Sequence, residues 1–199
     1  MMQIQAVDHN DDLWAVSDVF DPDLLARLHS KDLHAYEWQK VNMQEDLLRR
    51  ELTYSKEDVL HEINTQINNK ENLQQLSDTL EVKVHRVNSK FWMDLEDYII
   101  TNHPDNPAVR NVIQIFLWPN DASLGTEFFH NVAESSELDE QGGWTNPSQE
   151  NINGLHLRKR FDYMVNTGYI MKNRYQIHGM TAPVPKNSFR LSLYGHSST

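Results

Sequence analysis

At 199 residues, with 39% hydrophobic content, five Trp and a net charge of −11, the chain suits a single globular domain with a core of its own. It has no Cys, which excludes disulfides, a thiolate nucleophile and a Cys-based zinc site. The acidic balance argues against general nucleic-acid affinity, and the lack of a long apolar run or a basic-then-apolar leader argues against a membrane span or secretion signal, so the expected location is cytoplasmic.

The charge is uneven. Residues 155–199 carry seven Lys/Arg and one acidic residue, Asp162, while the first 154 carry 11 basic and 28 acidic residues. Either the basic segment forms an electropositive pocket for an anionic ligand, or a basic part packs beside an acidic part.

In chain order, residues 1–12 read as a strand or arm ending in the polar run Asp8-His9-Asn10-Asp11-Asp12. Leu13 to Phe20 alternates loosely, as a short strand would. Asp21-Pro22 supplies an N-cap and a first-turn proline, opening a helix to about Ser30 with Leu24, Leu25 and Leu28 on one face. Glu45 to Glu51 is a weaker helical candidate. Ser55 to Asp58 has the form of a capping box, and Val59, Leu60, Ile63 and Ile67 continue from it on one helical face. A further helix is expected over Asn72 to Leu80. The first 90 residues thus read as mostly helical support.

From Glu81 the character changes to β. Val109 to Trp118 is the best strand, a nearly continuous apolar run of the kind buried on both faces. Pro119 to Ser123 reads as a turn and Gly125 to His130 as the next strand. Asn131 to Gly154, rich in Glu, Ser, Asn and Gly with Trp144 as its lone aromatic, reads as a long loop, either a lid or an insertion. Strand-like runs return from Leu155. In the last of them Phe189, Leu191 and Leu193 point one way, and Arg190, Ser192 and Tyr194 the other. That alternation sets a guanidinium beside a hydroxyl on one face, a pair of donors suited to a carboxylate.

A mononuclear iron site of the two-His-one-carboxylate type needs three ligands on one side and open positions on the other. In an extended segment His-x-Asp delivers two ligands together. The pattern occurs twice. His9-Asn10-Asp11 sits in the polar arm and reads as a decoy. His103-Pro104-Asp105 sits between an apolar strand and the strongest strand of the chain. His178-Gly179 offers the third ligand, and His130 is the rival. On the Val109 to Trp118 strand, Gln114 shares a parity with Arg110, Phe116 and Trp118; it either contacts cosubstrate or, as favoured here, sits on the outer face. Thr126, Asn166 and Tyr169 are further cavity candidates. His156-Leu157-Arg158-Lys159-Arg160 reads as a solvated strand edge rather than a contact for an anionic partner.

The order His-x-Asp, buried strand, Gly-Thr-x-Phe, loop, His-Gly, Arg-x-Ser over Phe91 to Tyr194 resembles the catalytic core of the iron(II)- and 2-oxoglutarate-dependent dioxygenases, most of all the prolyl-4-hydroxylase-like and phage-type oxygenases. The resemblance implies an α+β fold with a mainly β core, a double-stranded β-helix (a distorted, cupin-like jelly roll) over residues 91–199, supported by the N-terminal helices. It implies Fe(II) held by His103, Asp105 and His178, and 2-oxoglutarate held through its distal carboxylate by Arg190 with Ser192 beside it; Gln114 and Thr126 join as cofactor-binding candidates, and ascorbate as a further cofactor. It implies dioxygen and a peptide or small molecule as the other reactants, with release of succinate and CO2. Arg-x-Ser resembles the plant-type clamp rather than the Lys of animal prolyl 4-hydroxylases. Asp105 stands where the related halogenases have Ala or Gly, which points to hydroxylation. Two other readings share this scaffold. A non-catalytic jelly-roll or cupin-like metal- or ligand-binding module would be expected to have lost a ligand or the clamp. A nucleic-acid demethylase would need a basic groove, which the net charge disfavours.

Overall fold

The computed structural model of the chain describes residues 2–10, 12–41, 48–52, 58–105, 108–130, 156–173 and 176–198. In order these form β1 (Gln3–Ala6), β2 (Leu13–Ser17), α1 (Pro22–His29), β3 (Gln39–Lys40), β4 (Arg49–Leu52), α2 (Val59–Ile67) and α3 (Lys70–Leu80). Then follow β5 (Arg86–Leu95), β6 (Asn111–Trp118), β7 (Asp121–His130), β8 (His156–Tyr163), β9 (Thr167–Lys172), β10 (His178–Met180) and β11 (Phe189–Ser198). One sheet has the order β1-β2-β9-β6-β11-β5-β4-β3, the other β10-β7-β8. Every pairing among them is antiparallel.

The helices begin where the side chains make them begin. Asp21 accepts a hydrogen bond from the Asp23 amide at 2.8 Å, with Pro22 as the first helical residue of α1. Asp58 caps α2 and Asn69 caps α3. Their apolar stripes pack on one face of the large sheet. Leu24, Leu25, Leu28, Leu60, Ile63, Ile67, Leu76 and Leu80 share a cluster with Ile113, Ile115, Leu117, Ile170, Leu191 and Leu193. Asn68 at the end of α2 also ties the helices to β5: it accepts from the Val87 amide at 2.8 Å and donates to the Val87 carbonyl at 3.1 Å.

The other face of the large sheet meets the small sheet. Leu13, Val112, Phe116, Tyr169 and Met171 from the large sheet pack on Leu124, Phe128, Phe161 and Tyr163. The core is therefore a jelly-roll sandwich of two open sheets, with helices on one outer side. This double burial explains β6, in which every residue from Asn111 to Leu117 is buried.

The N-terminal part departs from the mostly helical expectation, since β1 to β4 lie within it and extend the large sheet. Arg49-Arg50-Glu51 lies in β4, not in a helix, because its backbone pairs with β5 (Arg49 opposite Asp94, Leu52 opposite Phe91). Pairing of that kind overrides the helical propensity of Arg and Glu. Leu48 is not helical either and accepts from the Leu95 amide at 2.8 Å, while residues 45–47 of the candidate lie outside the described residues. So do Ser55 to Glu57 of the expected capping box and the expected loop 131–154 with Trp144. The expected turn at Pro119 to Ser123 is shorter, as β7 starts at Asp121.

Candidate metal centre and anion pocket

His178 opens β10, and its backbone forms a two-way bridge to His103. The His103 amide donates to the His178 carbonyl at 2.9 Å and the His178 amide to the His103 carbonyl at 3.0 Å. The bridge brings the two rings to 4.7 Å between centroids. Asp105, two residues on, reaches the same place, with Oδ1 at 3.9 Å from His178 Nε2. One ligand atom from each of His103, Asp105 and His178 lies within 4.8 Å of the others, the one such group among the described residues.

The hydrogen bonds of the rings fix what each can do. His103 Nδ1 lies 2.8 Å from the Thr101 carbonyl, and His178 Nδ1 lies 3.1 Å from the Gln176 carbonyl. A carbonyl only accepts, so in the neutral rings both Nδ1 atoms carry the proton. Both Nε2 atoms are left with a bare lone pair, as a metal ligand requires. Burial, and after it the neighbouring His178, holds His103 down at about 4, so this ring is neutral at physiological pH. Asp105 Oδ2 is buried and has no hydrogen-bond partner. Two imidazoles whose Nδ1 atoms face backbone carbonyls, and a carboxyl group with an orphaned oxygen, fit a first-row divalent metal ion.

Arg190 and Ser192 lie on the inner face of β11, as the alternation predicts, with exposures of 2% and 1%. Arg190 is not a lone guanidinium. Its Nε and Nη2 both donate to Asp94 Oδ2, at 3.1 and 2.6 Å, across the register that sets Arg190 opposite Asp94. Arg49 on β4 approaches the same carboxylate from the other side, Nε to Oδ1 at 2.5 Å and Nη2 to Oδ2 at 3.1 Å. Burial pushes Asp94 up, but the two guanidiniums outweigh it and hold the carboxyl below its usual range. Arg190 lies over the Tyr163 ring at 4.9 Å, and its Nη1 is buried without a partner. An orphaned buried donor on a charged group fits an anionic ligand.

A buried chain of contacts runs from Arg190 and Ser192 to the candidate metal ligands. Gln114 Nε2 donates to Ser192 Oγ at 3.2 Å, and Tyr169 OH donates to Gln114 Oε1 at 2.5 Å. Tyr169 meets Phe128 edge-on at 4.9 Å, and Phe128 stacks on His178 at 5.1 Å. Gln114 therefore faces inward, and the outer-face expectation is wrong. The odd positions of β6 meet the helices and the even ones the second sheet, and the sequence does not say which side holds a site. Thr126 is buried on β7 opposite Met180. Asn166 does not line the interior; it donates to and accepts from the backbone of Phe20, at 2.9 and 2.8 Å.

The rival histidines fall away. His130 and His9 are exposed and apart from the three-residue group, and Asp11 lies outside the described residues. In the basic run on the edge strand β8, His156, Leu157, Lys159 and Arg160 are exposed. Arg158 instead binds Asp8 and Asp12 and donates to Gln176 at 3.0 Å. Basic-beside-acidic packing thus accounts for part of the charge asymmetry.

Asp94, Arg49 and Tyr163 are the residues sequence reasoning missed. Trp92 and Asp94 alternate like a strand, which places Asp94 on one face with Trp92, but nothing local ties it to Arg190.

No protein-family profile matches the chain, and no curated protein does. Solved structures match along most of its length. An oxidoreductase of the 2OG-Fe(II) oxygenase family from Burkholderia pseudomallei is 14% identical, with a TM-score of 0.61 over 95% of this chain and 85% of that one. A Pseudomonas putida prolyl-4-hydroxylase is 12% identical, with a TM-score of 0.61 over 94% and 91%. HygX from Streptomyces hygroscopicus, solved with nickel, 2-oxoglutarate and hygromycin B bound, is 11% identical, with a TM-score of 0.59 over 94% and 83%. In architecture, therefore, the chain has the fold of the 2OG-Fe(II) oxygenase superfamily.

Proposed function

We propose that this protein is an Fe(II)- and 2-oxoglutarate-dependent oxygenase that hydroxylates a peptidyl side chain or a small molecule. The observation that carries the reading is the His103–Asp105–His178 group, with both Nε2 atoms freed by backbone acceptors, in the same interior as the orphaned Nη1 of Arg190. Metal plus keto acid would supply the oxidising power: dioxygen is consumed, 2-oxoglutarate leaves as succinate and CO2, and one oxygen atom enters a C–H bond of the substrate.

The rest falls to the chain's own residues. His103, Asp105 and His178 would hold the metal on one side and leave the other open. Arg190, with Ser192 beside it, would fix the distal carboxylate and so the length and direction of the keto acid. Phe128, flat against His178, and Tyr169 keep water from the ligand side of the site.

The test is anaerobic. Fe(II) and then 2-oxoglutarate are added to metal-free protein, and a weak visible charge-transfer band is sought. We expect the band in wild type, its loss in His103→Ala, and a requirement for more 2-oxoglutarate in Arg190→Lys, which keeps the charge and loses the fork. Well-folded protein with no band would refute the oxygenase reading and favour a binding module on the same scaffold.

A further inference from the structure

Asp94 is completely buried, and two guanidiniums, of Arg190 and Arg49, share its carboxylate. The cluster holds two positive charges and one negative, so it carries one positive charge in excess. The Arg190 fork is committed along a single edge, Nε and Nη2 to one oxygen. Its face is backed by Tyr163, and only Nη1 is left without a partner. Arg49 is held as firmly, with its guanidinium 4.0 Å from the Trp92 ring and 4.6 Å from the Tyr98 ring. A planar group fixed on an edge and a face has one remaining direction.

We propose that Asp94 is a positioning residue of the anion pocket: it holds one edge of Arg190 so that the Nη1 end is offered to the ligand and, with Arg49, sets the pocket's charge to match one carboxylate. The inference rests on the oxygenase reading, in which that carboxylate is the distal one of 2-oxoglutarate. A plain structural ion pair would instead have Asp94 neutralise Arg49 and leave Arg190 to find the ligand by itself.

A charge-balanced pair of substitutions separates the two. Asp94→Asn with Arg49→Gln removes one negative and one positive charge and leaves the excess at one. The dissociation constant of 2-oxoglutarate is read from the band of the anaerobic Fe(II) protein, and that of Fe(II) by direct titration. We expect 2-oxoglutarate to bind at least ten-fold more weakly in the double variant, with Fe(II) affinity unchanged. Wild-type affinity for 2-oxoglutarate in the double variant would overturn the proposal.

Arg49→Gln alone covers the case in which the double variant fails to fold. It leaves Asp94 and Arg190 paired at zero net charge, and 2-oxoglutarate is expected to bind roughly ten-fold more weakly. An unchanged constant there also overturns the proposal. Absence of any 2-oxoglutarate band in wild type is a different failure, because it removes the oxygenase reading itself.

Discussion

Gly179 allows the two histidines to meet, and replacing it with Ala tests the candidate metal centre without touching a ligand. A Cβ at this position would lie 2.4 Å from Asn102 Oδ1, 2.9 Å from the Asn102 amide nitrogen and 3.1 Å from its Cα. Ordinary contacts start near 3.5 Å. The side-chain oxygen can rotate away, but the backbone atoms must retreat by about half an ångström. Asn102 precedes His103, so the retreat opens the bridge whose bonds are 2.9 and 3.0 Å long. Overpacking of this kind costs about 1–3 kcal/mol. Displacing one ligand of a metal site by disturbing its support lowers affinity by roughly 10–100-fold. The assay is a pair of measurements, urea unfolding and Fe(II) or Co(II) titration. Gly195→Ala is the control, since its Cβ would press on Val87 Cγ1 at 2.6 Å, in the helix-side core. We expect both variants to lose stability and Gly179→Ala alone to lose metal affinity. Metal bound with wild-type affinity by a destabilised Gly179→Ala would refute the ligand assignment. No change in either quantity would refute the packing argument as well.

Two further outcomes follow from polar contacts. Gln114→Leu removes the acceptor of the Tyr169 hydroxyl and a donor to the Ser192 hydroxyl inside the sandwich and should cost about 2 kcal/mol in urea unfolding. Adding Tyr169→Phe should recover part of that loss, because removing both partners of a buried hydrogen bond costs less than removing one; strictly additive losses would count against the network. Asp8 is held at about 2, against 3.8 for a free Asp, chiefly by its hydrogen bond with Arg158. The unfolded chain therefore takes up this proton first, so the stabilisation is complete above about pH 4 and is lost as the pH falls from there through 2. Because the Asp8 side chain keeps 28% exposure, solvent screening limits the effect to about 1 kcal/mol. Asp8→Asn should lose that amount at neutral pH and show a correspondingly flatter acid limb in thermal unfolding; an unchanged limb would remove Asp8 from the acid sensitivity.

Features set by short-range order were legible in the chain. The period-two alternation of β11 put Arg190 and Ser192 on one face, because adjacent side chains in a strand must oppose. The cap at Asp21 and the spacing of Leu24, Leu25 and Leu28 placed α1. The unbroken apolar run of β6 announced a central strand. His-x-Asp ahead of that strand, with His-Gly further on, marked the three residues that the structure brings within 4.8 Å. In each case a few neighbouring residues carry the cause.

Tertiary structure decided what depends on which surfaces meet. A strand buried on both faces has no outside, so the inward direction of Gln114 followed only once the helices took one side of the large sheet and the small sheet the other. Residues 49–51 became a strand because an edge of β5 was there to pair with. Arg49, Asp94 and Arg190 stand far apart in sequence, and none of them marks the others. Their single cluster exists because β4, β5 and β11 lie side by side in a register that sets Arg49 and Arg190 both opposite Asp94. A sequence shows which charges a chain carries; the strand register determines which of them share a carboxylate, and hence how much charge remains for a ligand.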